Sequence, residues 1–319
     1  MKIRIFQNII DIIRVKKTPK EVLNEWIYYL AALKCHLKFY KWRFKFYSRL
    51  HCKEWQIIYP PQGMGDILYI CLLLHEYKKV HRKKIMLVVI KPYFKQLADI
   101  FAQEVDETLL ASGEAFAFIS RAKHHKNVLN IEAELYEKGM KWESFRINLI
   151  KIMKLNENAR LQMLTRPIFT LKDTSLNFKK GKSLIISPHA TSCPKCVPDS
   201  FWTKLADTFL SRGFGVIFNS NDKAFAAYQC RLLSIDETIA LADECGYFVG
   251  YRSGLCDVLA YFSKCEKIFI CPTNPHGNTT AEQWLLDAST KELWTHNEAK
   301  EYIYSEDLFG VILDEFLGN

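Results

Sequence analysis

Short apolar runs alternate along this chain with stretches of helical periodicity. Residues 56–59, 85–90, 108–110, 115–119 and 127–130 read as strands, the second of them a buried-type run, Ile-Met-Leu-Val-Val-Ile. Residues 66–79, 93–102 and 142–155 read as helices. A second series opens with Ser183–Ser187 and continues with strands over 215–219, 247–250 and 267–271. Its helices are predicted over 200–211, 222–231, 235–245 and 254–262, with a last one over 305–317. Apolar strands interleaved with helices indicate parallel sheets covered on both faces. Two such series predict an α/β protein of two Rossmann-like domains. If the domains face each other, the carboxyl ends of their strands form one cleft, which is where ligands bind such sheets.

The first 53 residues have a different texture. Ile3, Phe6, Ile9, Ile10 and Ile13 recur at helical spacing over residues 1–17. Thr18, Pro19 and Glu21 make a helix start with a capping box, and a long helix is expected to run on to about residue 50. Its second half, residues 39–47, alternates aromatic and basic side chains and fits a helix or a strand. The polar, mixed stretch over 156–181 marks a boundary. The chain therefore divides into a basic, aromatic-rich helical arm (1–53) and two Rossmann-like domains (54–165 and 166–319).

Charge sharpens this division. The whole chain carries a formal +9, but residues 1–53 hold 13 Lys/Arg against 3 Asp/Glu, a net +10 that leaves about −1 for the other 266. The basic character thus belongs to the arm. No apolar run approaches the ~18 residues of a membrane span, and the first residues lack the apolar core of a secretory signal. Ten cysteines without framework spacing suit a reducing, cytoplasmic compartment. Cys193 and Cys196 form a single CxxC, which with no second pair is weak evidence for zinc, and no metal is expected.

Three strand-to-helix turns carry candidate chemistry. The first is Gly63-Met64-Gly65-Asp66. Its glycines let the backbone approach a ligand. Asp66 either caps the helix that follows or faces the cleft as a proton acceptor. The second runs from Ser187 through His189, Thr191 and Ser192 to Lys195. Hydroxyls, exposed amides and a Lys suit a phosphate cradle, and an ordinary loop with a surface Lys fits equally. The third is Gly250-Tyr-Arg-Ser-Gly-Leu-Cys-Asp257. Here the amides of Ser253, Gly254 and Leu255 suit an anion, with Arg252 beside them as a bidentate cation. The competing assignment is an ion pair between Arg252 and Asp257.

These turns resemble, in order and spacing, those of the heptosyltransferases of lipopolysaccharide core assembly. The matching pieces are Gly-Met-Gly-Asp-Ile-Leu (63–68), His-Ala-Thr-Ser (189–192) with Lys195 and Pro198 to Trp202, Ser-Ile-Asp-Glu-Thr-Ile-Ala-Leu-Ala (234–242), Ser-Gly-Leu (253–255) and Cys-Pro-Thr-Asn-Pro (271–275). The resemblance implies a GT-B glycosyltransferase with an acceptor domain followed by a nucleotide-sugar donor domain. It implies inverting transfer without a metal or other cofactor. Asp66 matches the catalytic base. Gly65, His189, Thr191, Ser192, Lys195, Ser253, Gly254 and Leu255 fall on donor-binding stretches, and Arg252 and Asp257 join them by position. Two positions depart: Arg252 stands where the family usually has Asp, and Asp257 where it usually has His. The expectation is therefore a nucleotide-activated sugar rather than ADP-heptose in particular, passed to a bacterial surface glycan such as lipopolysaccharide or capsule.

Other classes fit parts of the sequence. A sugar-nucleotide epimerase or hydrolase would use the same fold. The aromatic-basic arm suits nucleic acid, but the near-neutral body and the lack of an RNA-binding motif count against that partner. The same arm suits an anionic membrane surface, which would place the protein in the cytoplasm, peripheral on the inner face of the bacterial inner membrane. A plainly packed helix is the alternative.

Overall fold

A computed structural model of the chain describes residues 40–111, 125–137, 145–164, 169–171, 175–190, 195–272 and 299–318. The expected helices upstream of residue 40, the strand over 115–119, and Thr191, Ser192 and Cys193 lie outside the described residues.

The first unit begins with helix α1 (residues 40–50). It continues with β1 (Trp55–Tyr59), α2 (Met64–His81), β2 (Lys84–Val89), α3 (Pro92–Ile100), β3 (Glu107–Leu110), β4 (Val128–Asn130), α4 (Ile131–Glu137) and α5 (Phe145–Ile152). Its strands are all parallel, in the order β3-β2-β1-β4. The second unit holds β5 (Ser183–Ser187), α6 (Asp199–Ser211), β6 (Gly215–Phe218), β7 (Gln229–Cys230), α7 (Ile235–Cys245), β8 (Gly246–Tyr251), α8 (Gly254–Phe262), β9 (Glu266–Cys271), β10 (Ala299–Ile303) and α9 (Leu308–Leu317). Its six strands are parallel in the order β10-β9-β8-β5-β6-β7. Numbered from its own first strand, that is the 3-2-1-4-5-6 order of dinucleotide-binding sheets. In each sheet the order reverses beside the first strand, at β1/β4 and at β5/β8.

Alternation along the strands explains the layering, because successive side chains point to opposite faces. Leu184 and Ile186 pack outward with α6 and α9, while Ile185 joins the core on the other side. In the first sheet Ile57 and Tyr59 face α1, while Ile58 faces inward. The inward residues of both sheets belong to one continuous apolar cluster that also holds α2, α3, α7 and α8. The two units are thus joined through packed helices, with α2 against α8 and α3 against α7. The connection between them is tied to this joint. The Gln162 amide donates to the Leu72 carbonyl of α2 at 2.9 Å, and the Tyr261 hydroxyl of α8 donates to the Gln162 carbonyl at 2.6 Å.

Local signals set the helix ends. Helix α7 has a complete capping box: Ser234 Oγ accepts from the Glu237 amide at 3.3 Å, and the Ser234 amide donates to Glu237 Oε2 at 3.0 Å. It stops at Gly246, whose φ of 92° lies in the left-handed region. The helix expected over 222–231 does not form. Asp222 accepts from the Ala224 amide at 3.0 Å and starts a single 3-10 turn, Lys223–Phe225, after which Gln229–Cys230 pairs with β6 as an edge strand. Strand β10 and helix α4 had no expectation.

The arm is corrected in its described part. Residues 40–50 are helical, and Trp42, Phe46 and Leu50, four apart, bury a stripe against the outer face of the first sheet. Lys45 and Arg49 both pair with Glu107 of β3, and Asn127 Nδ2 donates to the Leu50 and Cys52 carbonyls at 2.9 and 3.0 Å. This segment is core to the first unit, so the separate arm through residue 53 does not hold there. Phe46→Ala should cost about 3–5 kcal/mol, the usual price of emptying a buried aromatic site, measured by urea unfolding. A loss under about 1 kcal/mol would return α1 to a dispensable arm.

Candidate functional site

The two strand-order reversals are brought together by α2 and α8. Helix α2 leaves β1 through Gly63, and α8 leaves β8 through Ser253; neither N-terminus has a side-chain cap. Neither N-cap residue bonds its own first turn through a side chain, and both helix dipoles present their positive ends here. The ends touch at two glycines. A Cβ on Gly254 would stand 2.6 Å from the Gly65 nitrogen and 2.8 Å from Met64 Cβ. No side chain fits between backbones that close.

Asp66 sits at the third position of α2. Its Oδ2 folds back over Gly63, 2.2 Å from where a Cβ would be, and it provides no side-chain cap. Burial, then Asp257, then Glu132 raise its pKa to about 7. Like charges and a poor dielectric both disfavour the carboxylate. Asp66 thus exchanges a proton near neutral pH, the range a general base needs. Glu132, just beyond the end of β4, has its own pKa raised by burial. Its place at a strand's carboxyl end was a usable signal that the sequence reading passed over.

Asp257 reaches across from α8, with Oδ2 2.2 Å from where a Cβ of Gly65 would stand. Its Oδ1 accepts from Arg252 Nη2 at 2.7 Å. Arg252 also donates through Nε to Glu301 Oε1 at 3.1 Å and through Nη1 to the Ser253 carbonyl at 2.8 Å. Its side chain is 5% exposed. Of the two roles set out for Arg252, the geometry is that of the ion pair, and the guanidinium faces protein acceptors on three sides. Glu301 lies 49 residues away on β10, beyond reach of any local motif. Ser253 places its Oγ 3.9 Å from Cys256 Sγ, and Leu255 packs with Met64 on the shared core.

The remaining expected residues lie on the β5/β6 side. His189 Nε2 is 3.2 Å from Asp222 Oδ2, and its ring is 5.7 Å from that of Phe225. This contact ties the loop after β5 to the loop after β6. Lys195 pairs with Asp199 in the first turn of α6, the Nζ 2.7 Å from Oδ1. Lys195 is exposed, in keeping with a ligand-facing or a plain surface residue. Among the described residues no three His, Cys, Asp or Glu side chains gather closely enough to hold a metal ion.

No protein-family model and no curated protein matches the chain. Several solved structures are similar to it. The ADP-heptose lipopolysaccharide heptosyltransferase II of E. coli shares 13% identity and a TM-score of 0.49, over 78% of this chain and 90% of that one. E. coli heptosyltransferase WaaC with ADP shares 12% and 0.46, over 82% and 98%. The iron-containing dodecameric glycosyltransferase TibC from enterotoxigenic E. coli shares 14% and 0.45, over 69% of this chain. The chain spans 58% of the length of TibC.

Arg252→Met would leave Asp257 buried without its counter-charge and take the guanidinium away from Glu301. Breaking a buried pair on one side costs about 3–5 kcal/mol, and denaturant unfolding should read a loss of that size. Unchanged stability would mean that Arg252 works chiefly on a ligand.

Proposed function

We propose that this chain is an inverting, metal-independent glycosyltransferase that moves a sugar from a nucleotide-sugar donor to a bacterial surface-glycan acceptor. The observation that carries the proposal is the meeting of two uncapped helix ends, α2 bearing Asp66 and α8 beginning at Ser253-Gly254. They emerge where the strand order reverses in two doubly wound sheets, the place where such sheets bind ligands. The sequence resemblance to heptosyltransferases supports the same reading.

In the proposed step an acceptor hydroxyl gives its proton to Asp66 as its oxygen bonds to the anomeric carbon. The bond between that carbon and the phosphate oxygen breaks, and its electron pair leaves with the nucleoside diphosphate. Helix-terminal amides can stabilise the developing negative charge without a metal. The α8 N-terminus and the loop bearing His189 and Lys195 are assigned that part. Thr191 and Ser192 are assigned to the same cradle from the sequence alone.

A panel of nucleotide sugars screened by thermal shift should yield one donor that raises the melting temperature. A ligand at 100 times its Kd adds about 2.7 kcal/mol. With that donor, Asp66→Asn should lower turnover by about 10²–10⁴, the usual contribution of a general base, while donor affinity is kept. No shift with any donor would remove the transferase reading. Donor cleavage or epimerisation without an acceptor would replace it with a hydrolase or epimerase.

We also propose that the protein works in the cytoplasm, docked on the anionic inner face of the inner membrane. Support comes from the outer face of α1, where Tyr40 and Phe44 are 54% and 78% exposed beside exposed Lys41 and Arg43. Basic and aromatic side chains on one helix face suit an anionic interface. Among the described residues no helix is long and apolar enough to cross a membrane. Because α1 is core, the test replaces its outer face rather than deleting it. Lys41→Glu with Phe44→Ser should weaken sedimentation with phosphatidylglycerol vesicles at least tenfold at low salt without lowering the melting temperature. Equal binding by this variant and the native chain would discard the membrane face.

A further inference from the structure

Among the described residues the joint between the two units gathers four carboxylates around one guanidinium. Asp257 and Glu301 flank the single guanidinium of Arg252, so the trio carries a net −1 when ionised. Asp66 and Glu132 add two more carboxylates on the other side of the glycine contact. All five groups converge from four elements: α2, α4, the α8 turn and β10. Among the described residues Asp66 accepts no side-chain cap bond and has no ion-pair partner, while Asp257 and Glu301 each hold Arg252. Among the described residues Asp66 and Glu132 are the two of these acids that face no cation, so a proton is held most readily on their side of the joint.

We propose that Asp257 is a positioning residue that acts across the domain joint, making the Asp66 carboxylate a stronger base toward the acceptor hydroxyl. Its geometry suits that role. Arg252 fixes one carboxylate oxygen at 2.7 Å, and the other lies over Gly65, one residue before Asp66. The Gly65–Gly254 contact brings the two helix starts that bear these acids backbone to backbone. Like charges brought together at low dielectric raise the proton affinity of the unpaired member. The raised pKa of Asp66, with Asp257 as its second cause after burial, agrees with this arrangement. The charge that tunes the base thus comes from the opposite unit. The proposed use of the proton rests on the transferase reading; where Asp66 titrates does not.

The experiment labels Asp carboxyl carbons with ¹³C in the full chain and assigns Asp66 by the signal missing from Asp66→Asn. In the ligand-free native chain Asp66 should titrate well above the ordinary carboxylate range of about 4. In Asp257→Asn, which keeps Arg252 paired with Glu301, its midpoint should fall by about one pH unit or more. Asp257→Glu should restore most of the native midpoint. With an active donor and acceptor, the acid limb of the kcat profile should move down by the same amount. Asp257→Asn would then gain several-fold on the native chain at pH 5.5 relative to pH 8.5. A native Asp66 that titrates near 4, or a midpoint unmoved by Asp257→Asn, overturns the proposal. If Asp257→Asn does not fold, the native midpoint and the Asp257→Glu titration decide it. A shifted midpoint in a protein that transfers no sugar would uphold the coupling and sink the transferase reading alone.

Discussion

The closest backbone approach at the site is the contact between Gly65 and Gly254, and the rest of the arrangement follows from it. Two helix N-termini would ordinarily repel, each presenting the equivalent of about half a positive charge. Here each helix carries an acid near its start, Asp66 in α2 and Asp257 in α8. Those acids offset the dipoles but crowd one another. Arg252 settles half of that conflict by binding Asp257, and reaches Glu301 on the far strand of the second sheet. The other half remains as the raised proton affinity of Asp66. A backbone constraint is thereby converted into a chemical property of one carboxyl group.

The same contact bears on motion. Domains joined by small polar interfaces are expected to move, and those joined by large apolar ones are not. Here α2 and α8 share an apolar cluster with the inner faces of both sheets, and the connection at Gln162 is hydrogen-bonded to both helices. The apolar joint packs the two strand-order reversals against each other through α2 and α8. Positioning is therefore built into the core, and no hinge at α2 and α8 is needed to assemble the site.

Much of this was legible in the sequence because its signals are local. The run Ser183–Ser187, the helical stretch over 235–245 and the glycine turn at 254 each predict their element to the residue. The rest depended on contacts far along the chain. Residues 222–231 have helical composition, but Asp222 caps a single turn and Cys230 is taken by the edge of a sheet. Residues 40–47 could be read as strand or helix until the sheet beneath them selected the stripe Trp42, Phe46 and Leu50. Arg252 had two roles on paper; what separates them is Glu301, 49 residues away. Asp66 was identifiable as a candidate by its turn, but its raised proton affinity comes first from burial and then from Asp257 and Glu132, all of which only the fold supplies.

The distribution of charge then constrains the chemistry proposed here. A nucleoside diphosphate cannot rest among four carboxylates balanced by one guanidinium. At a few ångströms even a well-screened pair of like charges costs about 1 kcal/mol, and a partly buried one several times more. In the proposed reading the phosphates lie on the β5/β6 side, where His189 and Lys195 stand at a loop and a helix start. That leaves the acid-lined joint for the neutral sugar and the acceptor hydroxyl. An inverting displacement asks for this separation: proton removal on one side of the anomeric carbon, negative charge gathered on the other. In the proposed step that separation would follow from acids crowded at one glycine contact, where Arg252 is already held by Asp257 and Glu301.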